Sequence, residues 1–314
     1  MKFSGIGGQA VLEGIMMKNG QDYAVAVRKP DGGIEVKKDR HTAFSDRHRW
    51  AKWPFIRGIF AFVDSLVLGM STLSYSASFA EEEPGKGEPS DKKDSQGLSK
   101  TETAVTVIIA VLLAVGVFVV LPTFLSSLLK RFISSMTLIA VCEGLIRLVI
   151  FIAYVSVISL MKDIRRVYMY HGSEHKCINC IESGLPLTVE NVMKSSKEHR
   201  RCGTSFMLFV MLISIILFIF VRVENLPLRM LSRILLIPVV AGLSYELLRL
   251  NGRFDNKLTW ILSRPGMWMQ ALTTREPTED MAEVAIQAVE AVFDWRAFLK
   301  ENFGAVQPEN SEGE

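Results

Sequence analysis

Residues 103–129 read TAVTVIIAVLLAVGVFVVLPTFLSSLL, 27 positions without a charged side chain. At about 1.5 Å per residue a helix of that length exceeds the ~30 Å hydrocarbon core of a bilayer, so the stretch reads as a membrane span. Residues 203–221 supply another 19 uncharged positions. Working outward from these two, four spans are expected at about 104–129, 138–161, 205–221 and 228–250. A weaker apolar block, 58–80, holds Asp64 and many Ser and Gly residues, so it reads as a segment that touches the membrane, re-entrant or interfacial, rather than a fifth crossing.

Composition agrees. Hydrophobic residues form 49% of the 314 and charged residues only 22%, with 36 basic against 33 acidic side chains. A net charge of +3 is too small for a nucleic-acid footprint, so the bilayer is the expected partner and nucleic acid is not. Residues 162–204 carry Lys162, Arg165, Arg166, Lys176, Lys194, Lys197, Arg200 and Arg201, which by the positive-inside rule places them in the cytoplasm. Counting spans from there puts both termini in the cytoplasm as well. Lys130 and Arg131, in a short outer turn, count against that orientation.

The fold expected is therefore mainly α, a polytopic membrane protein with four transmembrane helices and a small cytoplasmic β-containing region at the N-terminus. Residues 1–57 form that region, because 23–27 and 34–36 are β-prone and Asn19-Gly20 and Asp31-Gly32-Gly33 supply turns. After the 58–80 segment, residues 81–103 hold seven acids, four lysines and two prolines and read as a disordered linker. Helices follow at 104–161 and 205–250, with the basic loop 162–204 between them. Residues 251–314 close the chain with amphipathic cytoplasmic helices, whose apolar positions Met281, Val284, Ala285, Ala288, Val292 and Leu299 recur at helical spacing.

Four Cys and five His occur in the chain, and six of these nine fall between residues 171 and 202. Imidazole and thiolate are zinc ligands, and in a reducing compartment their concentration favours a metal over a disulfide. His171 and His175 stand one helical turn apart with Glu174 beside them, the H-x-x-E-H pattern in which two histidines hold zinc and the carboxylate acts as general base. The third ligand of that pattern is usually a Glu much further along, and the near candidates here are Glu190, His199 and Cys202. That set describes a zinc hydrolase, with His171, His175, His199 and Cys202 on the metal and Glu174 catalytic. A rival pairing joins Cys177-x-x-Cys180 to His199-x-x-Cys202 as a closed structural site, which describes a scaffold recruiting a cytoplasmic protein partner. Within the second span, Glu143 and Arg147 lie four residues apart and form an ion pair, or line a polar cavity reaching toward the His171 loop.

Three motifs stand in order along the chain: Gly7-Gly8-Gln9-Ala10-Val11-Leu12-Glu13-Gly14-Ile15-Met16-Met17, then His171 to Lys176, then Arg201-Cys202-Gly203-Thr204-Ser205-Phe206. With Thr273-Thr274-Arg275-Glu276-Pro277 they resemble the bacterial YqhQ family over nearly the whole chain. The resemblance implies a bacterial plasma-membrane protein labelled a predicted metal-dependent enzyme, and it carries over His171, Glu174, His175 and Cys202. In the first motif a tight glycine-rich turn feeding a strand is one reading, and Glu13 reaching the metal site is another.

Overall fold

The computed structural model describes residues 2–80, 100–221, 223–253 and 257–304. Most of the expected linker, 81–99, lies outside the described residues, while its last four residues already belong to a helix.

The N-terminal region is a four-stranded antiparallel meander of β1 (Gly7–Val11), β2 (Gly14–Asn19), β3 (Asp22–Arg28) and β4 (Ile34–Arg40), in sequential order. The first motif is thus a hairpin, with Val11 paired to Gly14 across a two-residue turn that holds Glu13 at φ 49°. Alternation along the strands divides the sheet into two buried faces. Val11, Met16, Tyr23, Val25 and Val27 pack on one side with Leu68, whereas Ile15, Met17 and Ala26 join the main core on the other. Burial of both faces explains why β2 and β3 are nearly continuous apolar runs.

A short helix, α1 (Phe44–Arg47), leads into α2 (Ile56–Ala80). Residues 58–80 are therefore part of one continuous helix, without the break a re-entrant segment requires. Its later half lies on the sheet through Leu68, Tyr75 and Phe79. Arg57, near its start, pairs with Glu246 of a later helix.

Next come α3 (Lys100–Val115), a π-helical turn at Gly116–Val120, α4 (Leu121–Leu128), α5 (Met136–Ile158), α6 (Lys162–Glu182) and α7 (Val189–Lys194). The chain continues with α8 (Thr204–Phe220), α9 (Leu226–Leu235), α10 (Ile237–Arg253), α11 (Lys257–Thr273), α12 (Glu279–Val292) and α13 (Trp295–Phe303). Among the described residues three helical stretches are long and apolar enough to cross a bilayer: Ile56–Phe79, Ala104–Arg131 and Met136–Ile158.

The span expected at 228–250 is instead two helices, α9 and α10, bent by 41°. Pro238 is the cause, since it has no N–H to offer the preceding turn and its ring clashes there. Counted as one, the bent pair is a fourth candidate span. Apolar α8 has 17 residues, about 25 Å of helix. It packs against α5, where a Cβ on Gly144 would come within 2.1 Å of Ile215 Cγ1.

The core that positions the site forms where α6 and α12 meet the sheet. Met281, Val284, Ala285 and Ala288 of α12 pack against Cys177, Ile178 and Ile181 of α6 and Ile15 and Met17 of β2. The apolar face of α12 is thereby covered by its own protein.

Candidate metal centre

Helix α6 opens polar and turns fully buried from Gly172 to Glu182, where it passes between the sheet and α12. His171 sits at the edge of that transition, partly buried, and His175 one turn later is 1% exposed. Their rings lie 4.4 Å apart between centroids. Cys202, buried in the loop before α8, brings a sulfur to the same point, and the three ligating atoms lie within 4.8 Å of one another. His171 Nε2 stands 3.2 Å from Cys202 Sγ. Bonds of about 2.0–2.3 Å in a tetrahedron have edges of roughly 3.3–3.6 Å, so this separation suits two ligands of one zinc-sized ion.

The hydrogen bonds around the cluster fix which atoms face inward. His171 Nδ1 donates to the Thr273 carbonyl at 2.9 Å, and His175 Nδ1 donates to the Lys197 carbonyl at 2.7 Å. A carbonyl oxygen carries no proton, so in each ring the hydrogen resides on Nδ1 and the Nε2 lone pair is left for a metal. Cys202 Sγ accepts from the Thr204 N–H at 3.4 Å at the N-terminus of α8. Burial lowers the pKa of His175, against the pull of the Cys202 sulfur, and so favours the neutral imidazole that ligation needs.

Glu174, 5% exposed, turns toward β1. The Gly8 N–H hydrogen-bonds its carboxylate, and a Cβ on Gly8 would come within 3.0 Å of Glu174 Cδ. Its Oε2 is buried without a hydrogen-bond partner. Burial raises the Glu174 pKa, with the charge of His171 and the Gly8 bond opposing the rise. The Glu174 carboxylate is not among the ligand atoms that gather within 4.8 Å, which are those of His171, His175 and Cys202.

Three of the five expected site residues, His171, His175 and Cys202, come together in this corner, while Glu174 on the same helix turns to Gly8 of β1. His199 does not join the donor set. Gln270 clamps its backbone from both sides, accepting from the His199 N–H at 2.9 Å and donating to its carbonyl at 2.8 Å. Its ring is 5.7 Å from that of His175, and its Nε2 lies 3.7 Å from Glu182 Oε2. The rival closed site is not assembled either. Cys177 and Cys180 face the apolar core, with Cys180 Sγ donating to the Pro186 carbonyl at 3.3 Å. Burial pushes the Cys177 thiol well up and that of Cys180 to about 11. Glu13 ends on Arg166 Nε and Nη2 and not at the cluster.

The structure adds residues that spacing did not single out. The Thr273–Pro277 segment straps α6: Thr273 orients His171, Arg275 N–H donates to the Tyr168 carbonyl, and Glu276 pairs with Lys176 and Lys197. A Cβ on Gly172 would fall 2.0 Å from the Arg275 carbonyl oxygen, so only glycine admits the strap. Gly8, Cys202 and Thr273, one from each of the other motifs, thus converge on the helix that carries the H-x-x-E-H pattern. Gly8 belongs to the motif read as a tight glycine-rich turn and lies instead within a strand, and Gly172 signals only as a glycine inside a helical pattern.

The chain is thus mainly helical, with three or four helices long and apolar enough to cross a bilayer, a small antiparallel sheet, and a His-His-Cys corner among the described residues. The family model described as "Protein of unknown function (DUF1385)" matches residues 53–295, and the chain belongs to that family. It is 36% identical over 300 residues to "Uncharacterized protein YqhQ" of Bacillus subtilis (strain 168), covering 94% of each chain. No solved structure matches.

Proposed function

We propose that this chain is a multi-pass protein of the bacterial plasma membrane and a zinc-dependent hydrolase acting at the cytoplasmic face. The observation that carries the chemistry is the convergence of the His171, His175 and Cys202 ligand atoms within 4.8 Å of one another, with Glu174 adjacent to His175 in the helix and its Oε2 unpartnered. When bound by three protein ligands, zinc supplies Lewis acidity at an open fourth position. His171 and His175 hold their rings through backbone carbonyls, Cys202 contributes the charge, and Glu174 Oε2 takes the proton of the attacking water and returns it to the leaving group. Substrate approaches past His171, the most open of the ligands.

Support for the membrane placement comes from exposed apolar side chains along the candidate spans, among them Ile109, Leu112 and Leu113 of α3 and Val149 of α5. The basic residues of 162–204 favour a cytoplasmic position for this corner by the positive-inside rule. Helix α2, with its later half on the sheet, fits a segment lying along the inner face.

The test is purified full-length protein loaded with zinc and screened on amide and ester substrates. Glu174→Gln is expected to keep the metal and lower kcat/KM by about 10²–10⁴. A zinc-loaded wild type without hydrolytic activity, or a fully active Glu174→Gln, contradicts the proposal.

A further inference from the structure

A second buried polar cluster lies at the far end of α8, and the mechanism above does not use it. Arg147 of α5 and Arg229 and Arg233 of α9 converge on Glu143, with Arg229 Nη2 3.0 Å and Arg233 Nε 3.1 Å from its carboxylate oxygens. Arg147 Nη2 lies 3.3 Å from the same carboxylate. All four side chains are almost completely buried: Glu143 0% exposed, Arg147 5%, Arg229 1% and Arg233 2%. Among the described residues Glu143 is the one carboxylate paired with these guanidiniums, which leaves an excess of two positive charges inside an apolar bundle. Buried charge without a counter-ion is strongly unfavourable in such surroundings, and ionisable groups there mark binding sites.

The donors are not used up. Arg147 is well supplied, giving Nε to the Phe118 carbonyl in the π turn at 2.8 Å and Nη1 to Ser214 at 3.0 Å. Arg229 spends only Nη2, on Glu143, Ser126 and the Thr123 carbonyl, and its Nε and Nη1 are buried without a partner. A cavity of about 10 Å3 is lined by Glu143, Phe218, Val221, Val223, Arg229 and Arg233. That is room for a single oxygen-sized atom. Exposed Lys130 and Arg131 sit at the same end, where α4 runs out.

We propose that this cluster is an anion site that takes one oxygen of a phosphate group between Arg229 and Arg233, the rest of the group remaining at the mouth near Lys130 and Arg131. Arginine suits this ligand because its planar fork matches phosphate oxygens. The phosphate belongs to an anionic lipid headgroup if the chain is membrane-embedded, as proposed above, or to free phosphate. The site also gives the two outer basic residues, which the positive-inside rule leaves unexplained, a reason to be there.

The experiment uses the full chain in detergent and reads two arms. Native mass spectrometry compares retention of phosphatidylglycerol with phosphatidylcholine, and thermal unfolding compares inorganic phosphate with chloride at equal ionic strength. The expected result is preferential retention of one phosphatidylglycerol, weakened about 10-fold or more in Arg229→Gln. A phosphate-specific rise in Tm without lipid preference assigns the same site to the free anion, and that arm reads the site even if the membrane reading fails. Equal retention of both lipids together with no phosphate effect in the wild type overturns the proposal, as does undiminished binding in Arg229→Gln. Should Arg229→Gln fail to fold, Arg233→Lys, which keeps the charge and removes the fork, is expected to show the same weakening.

Discussion

The two ends of α8 carry buried polar clusters of opposite need. At the N-terminal end, His171 and His175 turn their Nδ1 hydrogens outward to backbone carbonyls and leave their Nε2 lone pairs with the Cys202 sulfur, a set of donor atoms that suits a cation. About 25 Å away along the helix, three guanidiniums turn donors inward around a single carboxylate, so that end lacks an anion. Similar burial therefore means different things, and the direction in which the donors point distinguishes a metal corner from a phosphate corner.

The largest expected effect breaks the arginine end. Glu143→Ala leaves three guanidiniums facing one another and is expected to destabilise the protein by about 3–5 kcal/mol, measured by denaturant unfolding in detergent. Loss of the corresponding stability without loss of metal would show the two ends to be independent. Next, Gly172→Ala forces the Arg275 carbonyl away from α6 and is expected to cost about 1–3 kcal/mol. Because the strap also orients His171, the same variant should weaken metal binding about 10-fold or more.

Smaller effects sharpen the contrast. Cys177→Ala and Cys180→Ala should leave metal content unchanged, and both native thiols should resist maleimide in the folded protein, since burial keeps them protonated at neutral pH. Metal loss in either variant would revive the closed-site pairing. Smallest is a pH effect at Glu182. Burial pushes its pKa up, but the neighbouring His199 imidazole, the hydrogen bond from Ser4 and the charge of Arg201 outweigh that and leave it lowered. A lowered carboxylate contributes stability that is present above its unfolded pKa and lost as pH falls through the folded one. Glu182→Gln should therefore flatten the acid limb of the stability profile and leave neutral-pH metal content intact.

How much of this was legible in the sequence follows from range. The His171–His175 turn is local and readable from helical spacing, and Cys202 follows from residue type. His199 has the same chemistry, but its place depends on Gln270, 71 residues away, which spacing cannot supply. The apolar runs announced the helices, yet the length of 228–250 concealed a break at Pro238. Arg229 and Arg233, four apart inside that run, were the available signal for the second cluster. Gly8 and Gly172 matter through contacts between distant segments, and no local pattern encodes a contact of that kind.

Elemental analysis of the detergent-purified full chain tests the central claim most directly. The account predicts about one equivalent of zinc in the wild type and in Cys177→Ala, and almost none in His171→Ala or Cys202→Ser. A metal-free wild type, or a Cys202→Ser variant that keeps its zinc while Cys177→Ala loses it, would contradict it.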